Sequence, residues 1–260
     1  MSFYGLMHAL AMAFAPAGPL NLYRISGYRD AIVISALSAL MVVITVQFVS
    51  NRAKPKPVPQ SQSGKKKKLH IKIIQRDSLP VAALTALFAI PYFATQADIV
   101  AYTEQRHLPI AVGSYFLIYA VVLLAIRLFL RNQFDTVRFG PWLITSTVAT
   151  IFYLIMLTVM KTNIEMALAA AGMAFGYGLI YSVCQSTAMM LAPDDERGLA
   201  SSTFFLGLDI GMTLGPVIGG IVDSTMPVKW FYPVMLITVP LILLIYFFNR
   251  QKLNSAVNKH

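Results

Sequence analysis

Gly207-Leu208-Asp209-Ile210-Gly211-Met212-Thr213-Leu214-Gly215-Pro216-Val217-Ile218-Gly219-Gly220 is the stretch on which the fold turns. Glycine recurs every fourth residue, so Gly207, Gly211, Gly215 and Gly219 share one face of a helix. A face without side chains lets a second helix approach closely. Pro216 removes one helical hydrogen bond and permits a bend within that face. Plain small-residue packing explains G-x-x-x-G alone, which is common. It does not readily explain a Gly-Pro pair followed by Gly219-Gly220. The remaining residues are apolar apart from Asp209 and Thr213, so this helix belongs to an apolar environment.

Working outward, the rest of the chain has the same character. Of 260 residues, 57% are hydrophobic and only 12% charged, about half the charged share of a soluble domain. The apolar residues come in long runs, such as Leu79–Tyr92, Val112–Ile126 and Val234–Phe248. A bilayer core needs roughly 20 mostly apolar residues per helix, whereas a soluble core shows short apolar stripes broken by charge. The reading is an all-α integral membrane protein of about eight helices. Its spans fall near 3–22, 31–49, 79–99, 112–130, 142–160, 166–191, 202–222 and 231–248. Helix is required because lipid offers no partner for backbone polar groups, and nothing alternates with the period of two that a barrel needs. Ala13-Phe14-Ala15 resembles a signal-peptide cleavage site. No Lys or Arg precedes it and Pro16 follows it, so the segment is read as a span. The single cysteine, Cys184, lies in an apolar run and forms no internal disulfide.

The segment from Ser50 to Ser78 differs in kind. It holds Lys54-Pro55-Lys56-Pro57, Ser61-Gln62-Ser63-Gly64 and Lys65-Lys66-Lys67-Lys68. Proline, serine and like charges disfavour packing, so this is a flexible linker, and its lysines are expected against anionic lipid. The net charge of +10 comes mostly from here, which argues for a positive-inside bias rather than nucleic-acid binding. With the linker placed in the cytoplasm, Lys and Arg divide 16 inside against 5 outside. Both termini then face the cytoplasm.

The quoted stretch closely resembles the glycine-proline motif that the major facilitator superfamily carries in its eleventh helix, and in the fifth helix of its antiporter members. A weaker copy, Ala15-Pro16-Ala17-Gly18, lies 200 residues before it, with Ala15 where glycine is usual. After each comes a short loop with an aromatic residue, Gly27-Tyr28 and Lys229-Trp230, then another span. That pattern is a sign of internal repetition. Arg127 to Gly140 resembles the family's loop between helices eight and nine through Arg127, Asp135, Arg138 and Gly140. Arg131 stands where that loop has glycine, and Thr136 where it has arginine. Asp194-Asp195-Glu196-Arg197-Gly198 resembles the loop entering helix eleven. The resemblance runs from the fifth helix to the end. It implies a partial bundle: residues 1–50 as two helices of the first half, 51–78 as the linker, and 79–260 as a complete six-helix second half. The first four helices of the family are then missing, as in a truncated or split chain.

Several polar residues sit within spans. Asp209 reads as a proton site or a contact for a cationic substrate, or as a structural hydrogen bond near a helix end. Gln96 and Asp98 read as lining the outer mouth or as wetted side chains. Gln185 follows the glycines Gly172, Gly176 and Gly178, and either packs or lines a pore. His8 is a lone membrane histidine. Tyr102, Glu104, Arg106 and His107 read as a solvated outer loop. No metal spacing, nucleophile elbow or phosphate loop occurs, so no cofactor and no enzyme activity is expected. The resemblance implies a secondary transporter with a small-molecule substrate and a proton as partners. Efflux is the favoured direction, a second chain is expected to supply the missing helices, and the location is a bacterial plasma membrane. The competing expectation is a remnant that assembles with another membrane chain without transporting.

Overall fold

A computed structural model describes residues 17–48, 74–130 and 137–255. Among these residues every regular element is helical, and seven helices are long and apolar enough to cross a bilayer. The first expected span lies almost wholly outside the described residues, as do His8, Ala15, Pro16, Lys65–Lys68 and Asp135. Helix α1, Ala17–Gln47, belongs from Gly18 onward to one compact unit, and everything described from Ile74 onward belongs to another. Gly18 lies in the first turn of α1. The loop expected around residues 23–30 is not a loop. The helix breaks only at Gly27 and resumes. Gly27 has φ of 79°, a left-handed conformation that glycine adopts without strain.

The second unit is built from α2 (Leu79–Gln105), α3 (Val112–Phe129), α4 (Phe139–Val159), α5 (Asn163–Met173), α6 (Leu179–Leu191), α7 (Arg197–Thr225), α8 (Phe231–Met235) and α9 (Thr238–Ser255). α5 and α6 are one span, joined by a π-helical turn over Ala174–Gly178. α2 and this joined span lie at the centre of the unit. The buried positions of α3, Tyr115, Tyr119, Leu123, Ile126 and Arg127, recur at three and four residues, and α4 shows the same stripe. Outward positions are apolar too: Leu117 and Val121 on α3, Ile144 and Val148 on α4, Leu244 and Phe247 on α9 are all exposed. An apolar exterior of that extent belongs in lipid.

Helix ends follow local chemistry. α2 begins with a proline in its first turn, where no hydrogen bond is lost. α5 opens on a capping box. The Glu165 amide donates to Thr162 Oγ1 at 3.5 Å, and the Thr162 amide donates to Glu165 Oε2 at 2.9 Å. One end of the unit, here the linker end, is laced together. The Gln75 amide donates to Thr203 Oγ1 (2.9 Å), Ser78 Oγ donates to the Ala188 carbonyl (2.9 Å), and Lys252 pairs with Asp77 at 2.8 Å. The far end carries His107, Lys161 and Lys229. α2 runs six residues past its expected limit, which moves Tyr102 from the expected solvated loop into the core at 2% exposure. Its hydroxyl donates to the Leu157 carbonyl (3.3 Å) and accepts from Arg106 Nη1 (2.7 Å). That pairing satisfies the hydroxyl inside the bundle.

Candidate functional site

The closest helix pair in the unit is α2 with α7, and the glycines of α7 create it. A Cβ on Gly207 would collide with the Ala82 carbonyl oxygen. On Gly211 it would lie 2.5 Å from Ala89 Cβ and 2.6 Å from the Ala86 oxygen, and on Gly215 it would lie 2.7 Å from the Ile90 oxygen. On Gly219 it would collide with Asp98 Oδ2. The two helices run parallel from the linker end, so the seam follows α7 from Gly207 to Gly219 for about 18 Å at 1.5 Å per residue. Backbone carbonyls facing glycine Cα hydrogens add weak C–H···O attraction. Gly220, the last glycine of the motif, has nothing within 4 Å of an added Cβ and takes no part. Pro216 lies within the helix near the far end, where it leaves the Met212 carbonyl without its helical donor.

Asp209 points the other way. It is exposed, half a turn from the glycine face, beside exposed Thr213. Beyond the helix's own backbone ladder, the Thr213 hydroxyl donates to its backbone carbonyl at 2.8 Å. Its carboxylate has no partner among the described residues.

The centre of the unit is a column of tyrosines: Tyr92 of α2, Tyr115 and Tyr119 of α3, Tyr153 of α4, Tyr177 of the π turn, Tyr181 of α6 and Tyr232 of α8, all buried. Tyr92 stacks on Tyr177 with centroids 3.9 Å apart and lies 5.7 Å from Tyr119, while Tyr181 lies 6.0 Å from Tyr177. The π turn sets Tyr177 in this stack, and glycines on both sides permit it. Added Cβ atoms would sit 2.8 Å from Phe152 at Gly172, 2.8 Å from Thr150 Oγ1 at Gly176 and 2.5 Å from Leu123 at Gly178. Gln96 is half-buried and donates to the Tyr92 hydroxyl at 2.5 Å. The hydroxyls of Tyr153 and Tyr177 are sealed from solvent without a hydrogen-bond partner, which marks them as places for an internal water or a ligand group. Gln185, on α6 below the column, is half-buried.

The residues read as a gating loop separate. Arg127 is on the last turn of α3, 6% exposed, and donates to Ser182 Oγ of α6 at 2.7 Å. Arg138 precedes α4 and is exposed. Gly140 is buried on the first turn of α4, where its amide donates to Asn254 Oδ1 of α9 at 2.9 Å. The Tyr246 hydroxyl occupies the place a side chain would take. Asp98 sits at the far end of the seam with Oδ2 sealed from solvent and unpartnered. The structure therefore brings Asp98 to Gly219 and Gln96 to Tyr92, and leaves Asp209 apart from both. Sequence reasoning missed the tyrosine column. Its partial signal is Tyr92, Tyr177 and Tyr181 at the middle of their spans, away from the membrane surface where such rings collect.

Residues 137–260, which hold α4 to α9, match the family model of the Major Facilitator Superfamily. The match covers just under half of the chain. No curated protein matches the chain. Members of the Major Facilitator Superfamily are transporters and not enzymes. The seven apolar helices and the match together make the chain an integral membrane protein whose residues 137–260 are similar to the transporters of this superfamily. α2 and α3 lie before the matched residues and pack into the same unit as α4 to α9.

Proposed function

We propose that the chain serves proton-coupled export of a small molecule, with α2 to α9 acting as one of the two rocking bodies of an alternating-access transporter. The observation that carries this reading is the pair of unpartnered carboxylates on or against α7. Asp209 stands on its exposed face and Asp98 is pressed on its glycine face. Carboxylates kept inside apolar spans are costly and serve ion or substrate pathways. Asp209 then contacts a proton or a cationic substrate where a second body faces α7. The linker end of the glycine seam, at Gly207 and Gly211, holds α7 on α2 within one body. The second body needs more than the two helices read in residues 1–50, so further helices, in the same polypeptide or a second chain, complete the pathway. The linker lies against anionic cytoplasmic lipid, with both termini inside.

The test is reconstitution in liposomes with a pH gradient and a panel of lipophilic cations, sugars and organic acids. The 260-residue chain alone is expected to give no flux. Co-expression with four complementing helices is expected to give flux that collapses in Asp209→Asn. Flux from the chain alone overturns the need for further helices, and no flux in the complemented form overturns the transport reading.

A further inference from the structure

Asp98 and Pro216 lie at the same end of the α2–α7 seam, and their relation carries more than packing. At the linker end, Gly207 and Gly211 meet backbone carbonyls and an alanine methyl of α2, groups whose charge is fixed. At the far end, Gly219 meets a carboxylate oxygen, the one ionisable contact of the seam. That oxygen is sealed from solvent and has no hydrogen-bond partner. The groups around it do not neutralise a charge. From α7 the facing ionisable group is Asp223, whose Oδ2 accepts from Gln105 Nε2 of α2 at 3.2 Å. From α8 they are the Phe231 ring, which also touches Gly219, and the phenol of Tyr232. On α2 itself Tyr102 follows one turn later, with Arg106 bound to the Tyr102 hydroxyl and the Thr158 carbonyl. Lys229, in the turn before α8, is exposed and makes no ion pair with Asp98.

An ionised carboxylate with one oxygen buried, unpaired and facing a second carboxylate is unfavourable, whereas the neutral acid is not. The close contact at Gly219 is thus the geometry of the protonated form. We propose that Asp98 is a proton-binding site that controls the far end of the seam. With the proton bound, Asp98 lies flat against Gly219 and α7 stays on α2. With the proton lost, the carboxylate turns to water and the segment of α7 after Pro216 swings away. The missing hydrogen bond at Pro216 supplies the hinge, while Gly207 and Gly211 hold the linker end closed. The step is a protonation alone, with the proton exchanged with water at the far end. It deepens the transport reading above by naming a coupling site, yet its protonation is measurable without any flux.

The experiment is distance measurement between spin labels on the full chain in lipid nanodiscs, in a Cys184→Ala background. One pair, Ala101→Cys with Ser224→Cys, reports the far end, and a second, Leu79→Cys with Ser202→Cys, reports the linker end. From mildly acid to mildly alkaline pH the far-end pair is expected to separate and the linker-end pair to stay fixed. Asp98→Asn, a neutral side chain of the same shape, holds the acid distance at every pH. Gly219→Ala places a methyl where Oδ2 rests and holds the far end apart at every pH. Asp223→Asn leaves a pH-dependent separation in place. A far-end distance that ignores pH in the parent, or that still responds in Asp98→Asn, overturns the proposal. So does a Gly219→Ala chain that closes like the parent. A pH-dependent separation without flux in the complemented liposomes leaves the proton site standing and removes only the transport role.

Discussion

The two faces of α7 are made from the same fourteen residues and have opposite requirements. On one face Gly207, Gly211, Gly215 and Gly219 present no side chain, and α2 lies so close that none fits. On the other, Ile210, Thr213, Val217 and Gly220 are exposed, with Asp209 among them. In lipid the hydrophobic effect does not choose between these faces, because hydrocarbon surrounds the helix in either case. Close approach of backbone atoms makes the choice, through dispersion and weak C–H···O contacts. The bare face therefore specifies a partner inside the unit. The face with a carboxylate specifies nothing inside the unit and is left for a neighbour.

The strongest way to break this comparison is to put the same large side chain on each face. Gly207→Leu forces a side chain into the Ala82 carbonyl and is expected to cost about 1–3 kcal/mol, as overpacked cores do. Gly220→Leu meets open space and is expected to change stability by under about 0.5 kcal/mol, as surface substitutions do. Thermal unfolding of the two variants in one detergent checks both values. Equal losses would mean that the glycine face is not the one that docks.

A smaller effect sharpens the same contrast elsewhere. Gly140 also has no room for a Cβ, but what blocks it is the end of the Tyr246 side chain and Asn254 Oδ1, at 3.2 Å in the latter case. Flexible side-chain ends move where backbone cannot. Gly140→Ala is expected to cost about 0.5–1.5 kcal/mol, the penalty for pushing a side chain off its rotamer. Tyr246→Phe in the same chain should recover part of it. The measurement is the same unfolding curve for the single and double variants.

Much of this was legible in the sequence and some was not, for physical reasons. The spans were legible because a bilayer dictates their length and polarity. Their ends were not, since Tyr102 is held in the core by Arg106 and the Leu157 carbonyl, and local composition shows neither bond. The glycine face was legible from its spacing of four. Its partner was not named, although Ala82, Ala86, Ile90 and Ala94 on α2 carry a matching stripe at the same spacing. Small residues are common enough in spans that one stripe does not point to another. Gly172, Gly176 and Gly178 were visible as small residues. The π turn they accommodate was not, because the stack of Tyr177 on Tyr92 that it sets up joins residues far apart in the sequence. Arg127 was read as part of a cytoplasmic loop because it matches the first position of the loop motif that Arg127 to Gly140 resembles. In the fold it lies inside the last turn of α3, and Ser182 meets it there.

The smallest expected effect on stability is at Asp209, and it separates packing from function most cleanly. Its carboxylate has no partner in the unit and is exposed, so Asp209→Asn removes no internal interaction. Unfolding in detergent should match the parent to within about 0.5 kcal/mol, as for surface positions generally. In a bilayer the same position faces hydrocarbon unless a neighbour covers it, and a charged aspartate there costs on the order of 3 kcal/mol by insertion scales. The parent therefore gains from any contact that shields or neutralises the carboxylate. The asparagine variant gains far less. Crosslinking of the chain in native membranes, compared between parent and Asp209→Asn, reads this difference directly. The parent should show more association with itself or with another membrane protein, and the variant less, at equal abundance of folded chain. Equal association in the two, with equal stability, would show that the exposed face of α7 recruits no neighbour through Asp209. The contrast between the two faces would then be one of packing alone.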